Sequence, residues 1–125
     1  MHLLVVDDET DIEPLFRQKF RKELKSQTVA LHFAFSAPAA LAYLNEPEQR
    51  TQITLVLSDI NMPEMTGLEM LTVINGQYPE LPVMIMSAYS DADTQHQVHQ
   101  QGAIGFIRKP VDFKDLKREL LRLSP

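Results

Sequence analysis

Thr54-Leu55-Val56-Leu57-Ser58-Asp59-Ile60-Asn61-Met62-Pro63-Glu64-Met65-Thr66-Gly67 is the stretch that decides how this chain folds. A short apolar run, Ile53 to Leu57, gives way to a carboxylate, and a Pro…Gly loop follows at once. A run this short, with no polar alternation, suits a strand buried on both faces. Asp59 then falls at the strand's carboxyl end, where open α/β sheets gather their ligands. A second acidic cluster, Asp7-Asp8-Glu9, follows the first apolar run, Leu3 to Val6, in the same manner. Two neighbouring strands that end in acid would crowd several carboxylates together, an arrangement that calls for a cation.

Working outward from that stretch, helical and strand patterns alternate. Ile12, Leu15, Phe16, Phe20 and Leu24 make one apolar stripe, predicting a single helix over 11–25 with Pro14 in its first turn. Val29, Leu31, Phe33 and Phe35 alternate with smaller or polar residues, as in a strand near a sheet edge. An Ala-rich helix over 37–45 is expected to stop at Asn45-Glu46-Pro47. Thr66 and Glu69 are spaced as a capping box, opening a helix whose buried stripe is Leu68, Leu71 and Ile74 and which closes at Tyr78-Pro79. Val83 to Met86 is a fourth apolar strand, ending in Ser87. The helix expected over 91–101 has only Ala92 and Val98 as apolar anchors, and Gly102 ends it. A short strand, Gly105 to Arg108, leads through Lys109-Pro110 into a last helix with Phe113, Leu116, Leu120 and Leu123 inward.

This order, strand then helix five times, implies a parallel sheet with helices on both faces. Asp7, Asp8, Asp59, Ser87 and Lys109 all fall at strand carboxyl ends, hence on one rim. The 125 residues suit one domain spanning 1–125. A net charge of −5 argues against direct nucleic-acid binding, which favours a basic face. No apolar run approaches the ~20 residues of a membrane span, and no signal-peptide core follows Met1. The absence of cysteine excludes disulfides and thiolate metal sites, and a cytoplasmic location is expected.

With Val6-Asp7-Asp8, Ser58-Asp59 through Gly67, Met86-Ser87-Ala88 and Lys109-Pro110 in order, each after a strand, the chain resembles the receiver (REC) domain of two-component response regulators. The resemblance covers essentially the whole chain. It implies an α/β fold: a (βα)5, flavodoxin-like, doubly wound sandwich whose five-stranded parallel sheet has the order 2-1-3-4-5. It implies that Asp59 accepts a phosphoryl group from a sensor histidine kinase or phosphotransfer protein, forming an acyl phosphate. Asp8, Asp59 and the backbone carbonyl of Asn61 would hold Mg²⁺ or another divalent cation, with Asp7 acting directly or through water. Lys109 would pair with Asp59 and then with a phosphoryl oxygen, and Ser87 would donate its hydroxyl to another. The Lys109-Pro110 bond is expected cis. Ser87 and Phe106 would form a switch, while Asn61 and Tyr89 would border the path of hydrolytic water and tune the lifetime.

The face expected to respond joins the 91–101 helix, the last strand and the last helix. There Arg108, Lys117 and Arg118 would meet Asp91 or Asp93 of a second copy in a phosphorylation-dependent homodimer. The chain would be a signalling module, catalysing only its own phosphorylation and dephosphorylation. Blander roles coexist with these: Asp7-Asp8-Glu9 also suits helix capping, and His96 and His99 suit a solvated helix face. One rival is an aspartyl-phosphate phosphohydrolase acting on a diffusible substrate, which would want a second acid where Asn61 stands. A flavodoxin-like redox protein would need a neutral phosphate cradle where Asp7-Asp8-Glu9 stands. The third rival is a non-phosphorylated interaction module. Ser124-Pro125 reads as the start of a linker.

Overall fold

Alternation along the strands sorts their side chains into two apolar layers. Leu3, Val5, Leu55, Leu57, Met84, Met86 and Ile107 face one way, and Leu4, Val6, Val56, Val83 and Ile85 face the other. This is the period-2 consequence of a sheet buried on both sides. The computed structural model describes residues 1–89 and 91–123, so the linker reading of Ser124-Pro125 lies outside the described residues. Its strands are β1 (His2–Val6), β2 (Ala30–Ala34), β3 (Leu55–Asp59), β4 (Val83–Ser87) and β5 (Gly105–Arg108). All pairings are parallel, in the order β2-β1-β3-β4-β5.

The helices are α1 (Ile12–Lys19), α2 (Arg21–Lys25), α3 (Ala37–Asn45), α4 (Pro47–Arg50), α5 (Gly67–Gln77), α6 (Ala92–Gln100) and α7 (Phe113–Leu123). Phe16, Phe20, Leu116 and Leu120 of the α1 and α7 side pack on the first layer. Ala40 and Leu44 of α3, Met70, Leu71 and Ile74 of α5, and Val98 of α6 pack on the second. The fold is flavodoxin-like, with the expected strand order.

Leu15 and Leu123, expected on inward stripes, are exposed, and local structure departs from expectation at three further points. The single helix expected over 11–25 is divided at Phe20, whose φ of −101° and ψ of 17° leave the helical region. Phe20 still donates to the Phe16 carbonyl and accepts from the Leu24 amide, so the ladder runs through the break. Its ring is held between Phe16 and Phe113, and the Lys117 ammonium lies 5.1 Å from its centroid. Pro47 does end α3, but it also opens α4, because a first-turn position has no use for the missing N–H. On α6, Val98 is buried while Ala92 is exposed, so the expected pair of anchors reduces to one.

Candidate functional site

Register assembles the site. Val6 pairs with Ser58 across β1 and β3, so the next residues, Asp7 and Asp59, emerge side by side. Asp59 pairs with Met86 on β4, and Ser87 pairs with Arg108 on β5, which puts Lys109 one step beyond the sheet edge. The Lys109 amide donates to the Ser87 carbonyl at 2.9 Å, extending the ladder by one bond. The Lys109-Pro110 peptide is cis, as expected.

Both inner carboxylates are held in the same way. Asp7 Oδ1 accepts the Glu9 amide at 3.0 Å, and Asp59 Oδ1 accepts the Ile60 amide at 2.9 Å. Their other oxygens flank the Lys109 ammonium, 2.7 Å from Asp7 Oδ2 and 3.3 Å from Asp59 Oδ2. The lysine therefore bridges two acids and lies closer to Asp7 than to its expected partner Asp59. Asp7 is wholly buried and Asp59 is 8% exposed, whereas Asp8 is exposed. Carboxylate oxygens of all three lie within 4.8 Å of one another. Such an all-oxygen group, with three negative charges against one positive, suits a hard divalent cation.

Electrostatics follow from this crowding. Burial pushes the Asp59 carboxyl above its usual range, and neighbouring Asp7 adds to the rise although Lys109 opposes it. Burial alone would lower the Lys109 pKa, but its hydrogen bond to Asp7 and the charges of Asp59 and Asp7 raise it. A carboxylate raised by burial and held beside a cation is the profile of a reactive group.

The Ser87 side chain is buried, and its Oγ accepts the Tyr89 amide at 3.0 Å. Tyr89 itself is 63% exposed. Asn61 is exposed on the loop after Asp59. Phe106 is half-buried against the α3–α5 layer and lines a groove with Arg108 and Arg118. Lys117, expected on that same surface, turns away from it. Its ammonium pairs with Glu23 at 3.0 Å and donates to the Lys19 carbonyl at 2.8 Å, because α7 packs beside α1 and α2 along that edge.

Two residues carry more of the geometry than the sequence suggested. Ser58 is fully buried and donates to the Asp59 carbonyl at 2.8 Å. A lone hydroxyl within an apolar strand, directly before the acid, was its only signal. Gly67 donates to the Ile60 carbonyl at 2.7 Å, and a Cβ there would lie 2.0 Å from the Asp59 carbonyl oxygen. The loop can close on the end of β3 only because this residue lacks a side chain. Beyond it, Thr66 and Glu69 form the expected capping box.

A family model for the response regulator receiver domain matches residues 3–121. The DNA-binding transcriptional regulator NtrC of Proteus hauseri is 38% identical over 111 residues, covering 89% of this chain and 22% of that protein. The response regulator protein PilR of Pseudomonas aeruginosa is 34% identical over 118 residues, covering 94% of this chain and 24% of that protein. The chain thus spans under a quarter of the length of these curated relatives. Among solved structures, the receiver domain of NtrX from Brucella abortus matches with a TM-score of 0.79 and 33% identity, covering 97% of this chain and 96% of that one.

Proposed function

This chain belongs to the response regulator receiver domain family, and on that premise we propose that Asp59 takes a phosphoryl group from a sensor histidine kinase or phosphotransfer protein. The observation that carries this reading is a buried carboxylate at the end of a central strand, with one oxygen held by a backbone amide and the other facing Lys109. An Asp59 oxygen attacks phosphorus as the bond to the donor imidazole nitrogen breaks. The nitrogen keeps the electron pair and takes up a proton, and Asp59 becomes an acyl phosphate. Lys109 follows the charge from the carboxylates to a phosphoryl oxygen. Ser87 Oγ already accepts from Tyr89, which leaves its own proton to donate to another oxygen.

Asp8, Asp59 and the Asn61 backbone carbonyl would hold Mg²⁺, which supplies charge neutralisation at the phosphoryl oxygens. Both Asp7 oxygens are already engaged by Glu9 and Lys109, which favours its action through water. Ser87 and Phe106 would pass the change to the face formed by α6, β5 and α7, and that face would bind a second copy. Arg108 remains a cation of that face, whereas Lys117 is removed from the expected set and Arg118 is paired with Asp115 at 3.1 Å on its own helix. Asn61 at the position where a phosphohydrolase wants a second acid favours a stoichiometric switch over turnover of an external substrate. None of the helices among the described residues is long and apolar enough to cross a membrane.

Mass spectrometry after treatment with acetyl phosphate and Mg²⁺ tests the assignment. One phosphoryl group should appear on the parent and none on Asp59→Asn. Full incorporation in the Asn variant would place the acceptor elsewhere.

A further inference from the structure

α6 is tied to its neighbours at its carboxyl end. Its carboxyl end closes in a Schellman arrangement: the Gly102 amide donates to the His99 carbonyl at 3.0 Å and the Ala103 amide to the Val98 carbonyl at 3.2 Å. Val98 and Ala103, the residues that such a motif brings together, are both buried. Ile104 then donates to the Val83 carbonyl at 2.8 Å, joining the turn to β4. That motif leaves the carbonyl of Gln101, the cap residue, in need of a donor. Asn75, on α5 and distant in sequence, supplies one: its Nδ2 lies 2.5 Å from that oxygen. Gly102 makes the approach possible, since at its φ of +101° a Cβ would meet Asn75 Nδ2 at 2.5 Å.

The amino-terminal half is held differently. Ala92, Asp93, His96 and Gln97 are exposed, and Asp91 makes no side-chain hydrogen bond to the helix backbone. Its carboxylate instead accepts the Thr94 hydroxyl at 2.6 Å, a bond internal to the first turn.

We infer that the Asn75 carboxamide is a positioning latch, fixing the carboxyl end of α6 to α5 as the pivot on which the amino-terminal half swings. From Ala92 to the pivot the helix is about 13–14 Å long, so a turn of about 10° moves its start by about 2 Å while Gln101 stays in place. The moving end is the one joined to Ser87 and Tyr89. The latch itself is a property of the resting chain, and its role in signalling rests on the acceptor reading of Asp59.

Hydrogen exchange on the whole chain tests both parts. Without phosphodonor, Asn75→Ala should speed exchange at amides 100–104 about two- to tenfold, the span expected for one lost hydrogen bond. Amides of β1 and β3 should keep the parent rates. Gly102→Ala, which crowds the carboxamide from the other side and also strains the backbone at a φ of +101°, should speed the same amides at least as much. Equal acceleration across the sheet, or none at 100–104, would overturn the latch. With acetyl phosphate and Mg²⁺, the parent's α6 response should stop before residue 98, whereas in both variants it should run on through 104. A parent response uniform through 104 would overturn the pivot. Lack of phosphoryl incorporation by mass would instead refute the acceptor reading and leave the resting-state result standing.

Discussion

Alanine placed at Gly67 and at Gly76, two glycines of the same helix, should change stability in opposite directions. At Gly76 an added Cβ meets nothing within 4 Å. The usual gain of alanine over glycine in a helix, about 0.5–1 kcal/mol, should therefore be realised there. At Gly67 the Cβ would lie 2.0 Å from the Asp59 carbonyl oxygen, 2.9 Å from its carbon and 3.1 Å from Ile60 Cα. All three are backbone atoms of the central strand's end, so no rotamer change relieves the contact. The loop must retreat by about 1 Å, which overpacking studies put at about 1–3 kcal/mol. The retreat also breaks the 2.7 Å bond from the Gly67 amide to the Ile60 carbonyl, at about 0.5–1.5 kcal/mol. Set against the same helix gain, the net loss is about 0.5–4 kcal/mol. Urea unfolding followed by far-UV circular dichroism reads both variants, with unchanged slopes confirming comparable transitions. A Gly67→Ala protein as stable as the parent would refute the close approach of loop and strand. The same variant should also lose phosphoryl incorporation, because the carbonyl it displaces belongs to Asp59 itself.

Three further outcomes follow from charge and exposure. Asp59 has a native pKa raised by burial, so its stabilising contribution is fully present below the unfolded value of about 3.8 and is lost as pH rises through the higher native value. Asp59→Asn, with Lys109 still held by Asp7, should therefore be more stable than the parent at pH 7, and the difference in urea midpoint should narrow on acidification; a constant gap would show that the charge is not the cause. His32 behaves in the opposite sense: burial, with His2 and Arg17 nearby, lowers its pKa from 6.5, so the stability of the neutral form is lost as pH falls through 6.5 towards the lower native value. His32→Gln should flatten the fall in urea midpoint between pH 7 and 5, and a parent-like fall would place the acid-sensitive group elsewhere. Tyr89→Ala should shorten the acyl phosphate lifetime if the exposed ring screens water from the site, and equal decay rates followed by mass spectrometry would exclude that role.

The fold was legible where local pattern and tertiary environment agree. The unbroken apolar runs of β3 and β4 admit one reading, a strand covered on both faces, and both are buried at every position. Parallel pairing then turns sequence position into spatial position, so a carboxylate after β1 and one ending β3 must meet, and the Lys109 that follows β5 needs only its long stem to reach them. This is why Asp7, Asp59 and Lys109 could be read as one group. Features decided by what packs on a helix were less legible. A continuous apolar stripe gave no sign of the break at Phe20, and the spacing that placed Lys117 on α7 could not reveal Glu23 and Lys19 waiting on the neighbouring edge.

The same distinction explains the residue least visible in the sequence. Asn75 sits near the end of a helix, where an asparagine is an unremarkable neighbour of a helix stop. Its partner is a backbone carbonyl, which has no letter of its own, and the glycine that admits it reads only as the end of another helix. Chemistry that lies between strand ends is written in register and can be recovered from one chain. Chemistry that lies between a side chain and a distant backbone group is not, because every residue exposes the same carbonyl and only packing selects one. The Asp7–Asp59–Lys109 cluster is of the first kind and the Asn75 contact with α6 of the second. A switch built from both would combine a site recognisable from its motifs with a pivot set by this chain's own packing.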